Sequence, residues 1–148
     1  MRIVTRLGPF AGETTVVHVG DRGADLFPFF LACQATHPAF LVRVCEHRRV
    51  EPDGEPHQSV VEPIRALGVQ ASRPFSVPGT HGRTARQTDV RLSFGSIRVM
   101  PPRWETRCGT ESLSLWAIRV GEEDTPADEE PWEWLLVTSV PPTTIEQA

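Results

Sequence analysis

The hydrophobic positions change period several times along the chain, and each change marks an element. Thr14 to Gly20 is apolar at Val16, Val17 and Val19, a near-continuous β-branched run. It predicts a strand buried on both faces, with His18 as a satisfied polar exception in the core or at the sheet edge. From Gly23 to Thr36 the spacing of Leu26, Phe27, Phe30, Leu31 and Gln34 follows the 3.6-residue period. That predicts an amphipathic helix ending before His37-Pro38. Pro28 leaves two readings of its start: an irregular first turn, or a regular helix beginning near Pro28. Ala39 to Cys45 puts Phe40, Val42 and Val44 on one face and Leu41, Arg43 and Cys45 on the other, a second strand with an arginine in its middle.

Further on, His47-Arg48-Arg49 leads into a loop punctuated by Pro and Gly through Pro56. Val60 to Leu67 predicts a short helix and Pro74 to Gly79 a loop. The period then becomes two. Val90, Leu92 and Phe94 alternate with Arg91 and Ser93, Gly95-Ser96 can turn the chain, and Ile97 and Val99 alternate with Ser96 and Arg98. The pattern predicts a β-hairpin with one apolar and one arginine-bearing face, ended by Pro101-Pro102. Ser112 to Val120 and Trp134 to Ser139 predict two more strands, joined by a solvated acidic loop from Glu122-Glu123-Asp124 to Asp128-Glu129-Glu130. Thr143-Thr144-Ile145-Glu146 fits a capping box, which announces a helix, and the chain ends two residues later. The expectation is a helix cut short.

Composition sharpens this picture in four places. A chain of 148 residues fits one domain with a sizeable core, and no apolar run is long enough to cross a membrane. Met1-Arg2-Ile3-Val4-Thr5-Arg6 lacks the apolar region of a secretory signal, so a cytoplasmic location is expected. Cys33, Cys45 and Cys108 are odd in number and scattered, which suits reduced thiols. Net charge is −4, but residues 64 to 104 carry seven Arg against one acid, while residues 105 to 148 carry two Arg against ten acids. The basic island suits phosphate backbones and equally suits ordinary solvated strands.

Candidate chemistry is sparse. Asp21 ends a strand and precedes a helix, so it either presents a carboxylate for chemistry or caps the helix. Arg43 within an apolar strand requires an anionic partner, either a carboxylate or a phosphate. Cys33 and His37 share one face, as do Cys45 and His47, which makes zinc conceivable, although the spacing matches no recurrent zinc motif. No feature marks an activated thiol, and Gly20-x-x-Gly23 is too short for a phosphate loop.

Val19-Gly20-Asp21-Arg22-Gly23-Ala24-Asp25, Phe40-Leu41-Val42-Arg43 with His47-Arg48-Arg49, and Trp132-Glu133-Trp134-Leu135-Leu136-Val137-Thr138-Ser139 with Glu146-Gln147-Ala148 carry a resemblance. Together they resemble the DDE-type cut-and-paste transposases of bacterial insertion sequences, whose ribonuclease-H-like core is interrupted by a β-rich insertion. The resemblance implies an α+β fold: a lead-in over 1–13, a partial ribonuclease-H-like core (strand, helix, strand) over 14–49, an antiparallel β-rich insertion over 50–131, and over 132–148 a return strand with the start of a truncated helix.

It also implies that Asp21 is the second catalytic Asp and a Mg²⁺ ligand, that Arg43 and Arg48 contact DNA, and that Trp134 stacks on a displaced base. The first Asp and the Glu of the family's triad have no counterpart in the chain. The expectation is therefore a transposase fragment that does not cleave DNA alone, with transposon-end DNA and a full-length transposase as partners. The alternative is a non-catalytic DNA-binding or transposase-interacting module using the arginine face of residues 83 to 103, with Arg91 and Arg98 as its test residues.

Overall fold

The computed structural model describes residues 15–45, 47–51, 59–79, 84–104, 108, 109, 111–125 and 131–142. The lead-in, the capping box at Thr143 to Glu146 and the acidic residues Asp128 to Glu130 lie outside them. Among the described residues the fold is α+β: one six-stranded mixed sheet and two short helices. In chain order the elements are β1 (Val17–Gly20), a 3-10 turn (Arg22–Ala24), α1 (Phe27–Thr36), β2 (Ala39–Arg43), α2 (Val61–Arg65), β3 (Val69–Val77), β4 (Arg86–Val99), β5 (Leu113–Glu122) and β6 (Glu133–Thr138). Strand order across the sheet is β1-β2-β6-β5-β4-β3, with β1 parallel to β2 and every other pair antiparallel. Among the described residues no helix is long and apolar enough to cross a membrane.

The start of α1 follows the second of the two sequence readings. Leu26 is the N-cap and Pro28 sits in the first turn, where its missing N–H leaves no bond unmade. The helix stops at His37, whose φ of 67° is left-handed and cannot continue it. Phe27, Phe30 and Cys33 turn inward against Phe40 and Val42 of β2, and Phe30 stacks on Phe40 with centroids 4.8 Å apart.

β1 differs from expectation. It is an outer strand of the sheet, so only the side facing α1 is covered: His18 points there, 6.0 Å from the Phe29 ring, while Val19 is 77% exposed and Val17 is exposed beside it. His18 is half-buried, and its Nε2 has no hydrogen-bond partner, so it is not the satisfied histidine the sequence suggested. A β-branched run reads alike at a sheet edge and in a sheet centre, and the helix layer decides the difference.

Residues 74 to 79 are not a loop from their start. Pro74 lies within β3, paired with Asp89, and β3 pairs only with β4, the kind of outer strand where a missing N–H is tolerated. Residues 90 to 99 are not a hairpin either. β4 runs unbroken through Gly95, which pairs with Ala117 of β5. What looked like a turn is a change of buried face: Ile97 and Val99 face the helices, whereas Val90 and Leu92, of opposite parity, are buried on the other side of the same strand. β5 makes the same change, from Leu113, Leu115 and Ala117 to Ile118 and Glu122. Gly95 fits the crossover because a Cβ there would come within 2.6 Å of Leu67 Cδ2. Arg91 and Arg98, seven residues apart in one strand, therefore emerge on opposite faces and form no common arginine surface.

Two buried carboxylates anchor the sheet ends. Glu122, expected in a solvated loop, has a fully buried side chain held by Arg86 at 2.7 Å and by the Trp132 N–H at 2.7 Å. Asp25 is fully buried too, accepting from Cys45 N–H at 2.7 Å and from Arg48 Nε at 2.8 Å. Arg48 also donates to the Asp25 backbone carbonyl, and its guanidinium lies 5.5 Å from the Phe30 ring centroid. Removing one partner leaves the other charge desolvated and unpaired. Asp25→Ala is expected to cost about 3–5 kcal/mol in chemical denaturation; a loss under about 1 kcal/mol, the scale of an exposed pair, would refute this anchoring role.

Candidate functional site

Asp21, Arg43 and Trp134 come together at the carboxyl end of β1 and β2. Parallel pairing in the register Val19↔Leu41 and Gly20↔Val42 brings the residue after β1 level with Arg43. The antiparallel return of β6 pairs Arg43 with Leu136, which sets Trp134 two positions further along the same face. Arg43 Nη1 lies 3.9 Å from Asp21 Oδ1, and the Arg43 guanidinium carbon lies 5.8 Å from the centroid of the Trp134 ring. Asp21 is 80% exposed at its side chain and Trp134 is 43% exposed.

Asp21 does both things the sequence allowed. Its Oδ1 accepts from Arg22 N–H at 2.7 Å and so caps the 3-10 turn, yet most of its surface stays in solvent. An exposed pair such as Asp21–Arg43 contributes at most about 1 kcal/mol, so Arg43 is lightly held. Trp134 is not core. One side of it carries Arg43, and its other neighbour is Trp132, with centroids 5.2 Å apart.

Arg48 stands apart. It was expected at DNA, and the structure commits its guanidinium to Asp25, with only 9% of its side chain exposed. A buried, doubly bonded guanidinium holds the fold and leaves little to offer a phosphate. The single residue that sequence reasoning could have used to see this is Asp25, placed there only in the first turn of a helix.

Behind the site, a polar cleft of about 430 Å³ is lined by Arg22, Arg43, His47 and Arg65 with Glu62 and Glu133. Glu133 accepts from Arg65 Nε at 3.0 Å and from Arg119 Nε at 2.8 Å. Burial would raise the Glu133 pKa, but the two guanidinium hydrogen bonds outweigh it and hold the carboxyl below its ordinary value. Burial pushes the Cys45 thiol up, and the Asp25 carboxylate pushes it the same way, so it stays a protonated thiol near neutral pH.

The donor set does not fit a pair of divalent ions. Asp21 offers one carboxylate, Asp25 is spent on Arg48, and among the described residues no three of His, Cys, Asp and Glu gather to hold a metal. Mg²⁺ needs well-placed oxygen ligands to displace its water, and one exposed carboxylate does not supply them. Zinc fares no better, because His37 precedes β2 and Cys45 follows it, so the two Cys/His pairs lie at opposite ends of that strand.

No protein-family profile matches the chain, and no curated protein is significantly similar to it.

The Glu133 pair has a pH signature. Because the folded-state pKa is depressed, its stabilisation is present above the unfolded glutamate value of about 4.3 and is lost as pH falls through the lower folded value. Thermal unfolding of the wild type is expected to lose stability below about pH 4.3 more steeply than Glu133→Gln. Parallel curves for the two proteins would show that Glu133 does not carry this linkage.

Proposed function

We propose that the chain is a DNA-binding piece of a DDE-type transposase, built from part of a ribonuclease-H-like core and its β-rich insertion, and that it does not cleave DNA by itself. The observation that carries this reading is the convergence of Asp21, Arg43 and Trp134, residues up to 113 positions apart, into one exposed row beside a parallel strand pair. An acid at the carboxyl end of a parallel strand, with a cation and an exposed indole next to it, suits a phosphate backbone and a base. Trp134 would stack a displaced base, and Arg43, lightly held, would exchange Asp21 for a phosphate oxygen.

The proposed lack of cleavage is supported by the donor set of the described residues, in which Asp21 alone does not build the two-ion site that phosphodiester cleavage uses. Strand cleavage would need carboxylates beyond those that gather among the described residues, and on this reading a full-length transposase would supply them. The second reading, a module that grips DNA with an arginine face, loses its basis in β4. Arg91 and Arg98 point to opposite sides of the strand, so no single face carries both.

At low salt the protein is expected to bind duplex DNA weakly, and Arg43→Ala to weaken that binding and lower its salt slope by about one. Asp21→Asn is expected to bind duplex DNA at least as tightly as wild type, since it removes the carboxylate that competes with phosphate for Arg43. With Mg²⁺ or Mn²⁺ no cleavage of duplex or nicked DNA is expected in a gel assay. Turnover that disappears in Asp21→Asn would overturn the claim of inactivity.

A further inference from the structure

β1 and β3 are the outer strands of the sheet, and they differ as edges. β3 carries Pro74 in its middle and a register shift between Val69 and Ala71, two devices that spoil an edge for further pairing. β1 contains no proline, no carboxylate, no Lys or Arg and no register shift. Among the described residues it pairs with β2 alone. The ladder to β2 fixes which of its backbone groups are left over. Val16 C=O accepts from Ala39 N–H at 2.9 Å, so residues 16, 18 and 20 turn their polar groups toward β2. Those of Val17 and Val19 turn outward. Val19 is 77% exposed, which leaves both its side chain and its outer backbone edge uncovered.

We infer that this edge pairs with the same edge of a second copy of the chain, antiparallel about a two-fold axis through His18. In that register Val17 lies opposite Val19 of the partner subunit, and each such pair exchanges two hydrogen bonds. Every outward N–H and C=O of Val17 and Val19 is then used. His18 meets the partner's His18 at the intervening position, which exchanges none. The valines of both chains also meet on the open face of the sheet as cross-strand β-branched pairs. A register slipped by one residue would set Val19 against the partner's His18, whose polar groups already serve β2.

Charge and shape fit the same occupant. Asp21, the charged residue that follows the strand, falls opposite Thr15 of the partner subunit, and the two Asp21 carboxylates lie about 20 Å apart along the ladder, so no like charges meet. α1 lies over β2, with Phe30 stacked on Phe40. The two β2 strands would be three strand spacings apart, about 14 Å, which exceeds the about 8–10 Å at which helices pack, so both α1 helices fit side by side. The half-buried ring of Phe29, beside His18, faces the gap between them. A four-residue strand buries less than the about 1,200 Å² of a stable interface, so association is weak and concentration-dependent. β2 and β6 lie inward of β1, which keeps Arg43 and Trp134 outside the contact and the inference independent of the DNA reading.

The test is sedimentation velocity on the full chain from about 10 µM to about 1 mM. The mean mass is expected to rise from 16.5 kDa toward twice that value and to stop there, because β3 does not extend the sheet. Val19→Pro removes an N–H that β2 does not use and, counting both chains, two intermolecular hydrogen bonds; it is expected to weaken association about tenfold or more. Val19→Lys, at a position exposed enough to keep the fold, is expected to weaken it as an edge lysine does. Val69→Lys, on β3, is expected to leave association unchanged. Hydrogen exchange of the Val17 and Val19 amides is expected to slow as concentration rises. A mass of 16.5 kDa throughout, or association unchanged in both Val19 variants, overturns the inference. So does slow exchange at those amides that is independent of concentration, since the edge is then covered within one chain.

Discussion

The buried carboxylate of Asp25 is the constraint on which the site depends. It draws together the start of α1, the exit of β2 through Cys45 N–H, and the first residues of the long connection through Arg48. A charge out of water is tolerated only when its lone pairs are filled, so these three segments hold one arrangement or lose several kcal/mol. The pair also rests on the aromatic core, with Arg48 over Phe30 and Phe30 stacked on Phe40. Fixing Asp25 in turn fixes the short 3-10 turn before it. Asp21, at the other end of that turn, is left at the rim in solvent.

A second consequence concerns which face of the sheet is open. α1 and α2 cover the side carrying Phe40, Val42, Ile97, Val99, Leu115 and Val137. Beyond Gly95 and Ala117 burial passes to the opposite side, at Val90, Leu92, Ile118 and Glu122. Arg43 and Trp134 belong to that opposite side but at the end nearest β1, where no described helix covers it. The change of buried face thus accounts for both an anchored β-rich end and the row of Asp21, Arg43 and Trp134 at the other end. A sheet buried on one side throughout would have hidden the row or left the far strands without a core.

Much of this was legible in the sequence. The strand, helix, strand order of residues 17 to 43, the short helix after Val60 and the last two strands all follow from hydrophobic pattern, β5 included, because its change of buried face at Ala117–Ile118 leaves an unbroken apolar run with no turn residue in it. The failures share a cause. Strict alternation assumes one buried face, so a strand that exchanges faces at Gly95 reads as two strands and a turn. Pro74 reads as a loop because its tolerance depends on being outermost in the sheet, a property of neighbours and not of sequence. The candidate site divides in the same way. Asp21 and Arg43 were found from local pattern, whereas the commitment of Arg48 to Asp25 is a contact across 23 residues that no local pattern contains.

On the proposed reading, the arrangement would separate binding from catalysis. A base or a phosphate needs only a flat ring and a cation held loosely enough to be exchanged, and Trp134 with Arg43 supplies both. Phosphodiester chemistry by two metal ions needs several carboxylates converging on one point, and of the two acids in the opening segment the fold spends one internally. Asp25 cannot be released to join Asp21 without unpairing Arg48 and the Cys45 amide, which would undo the anchor that positions Asp21 in the first place. Within the described residues, then, stability and metal binding compete for the same carboxylate, and stability has it. What remains at the rim is Asp21 in solvent, with Arg43 and Trp134 beside it.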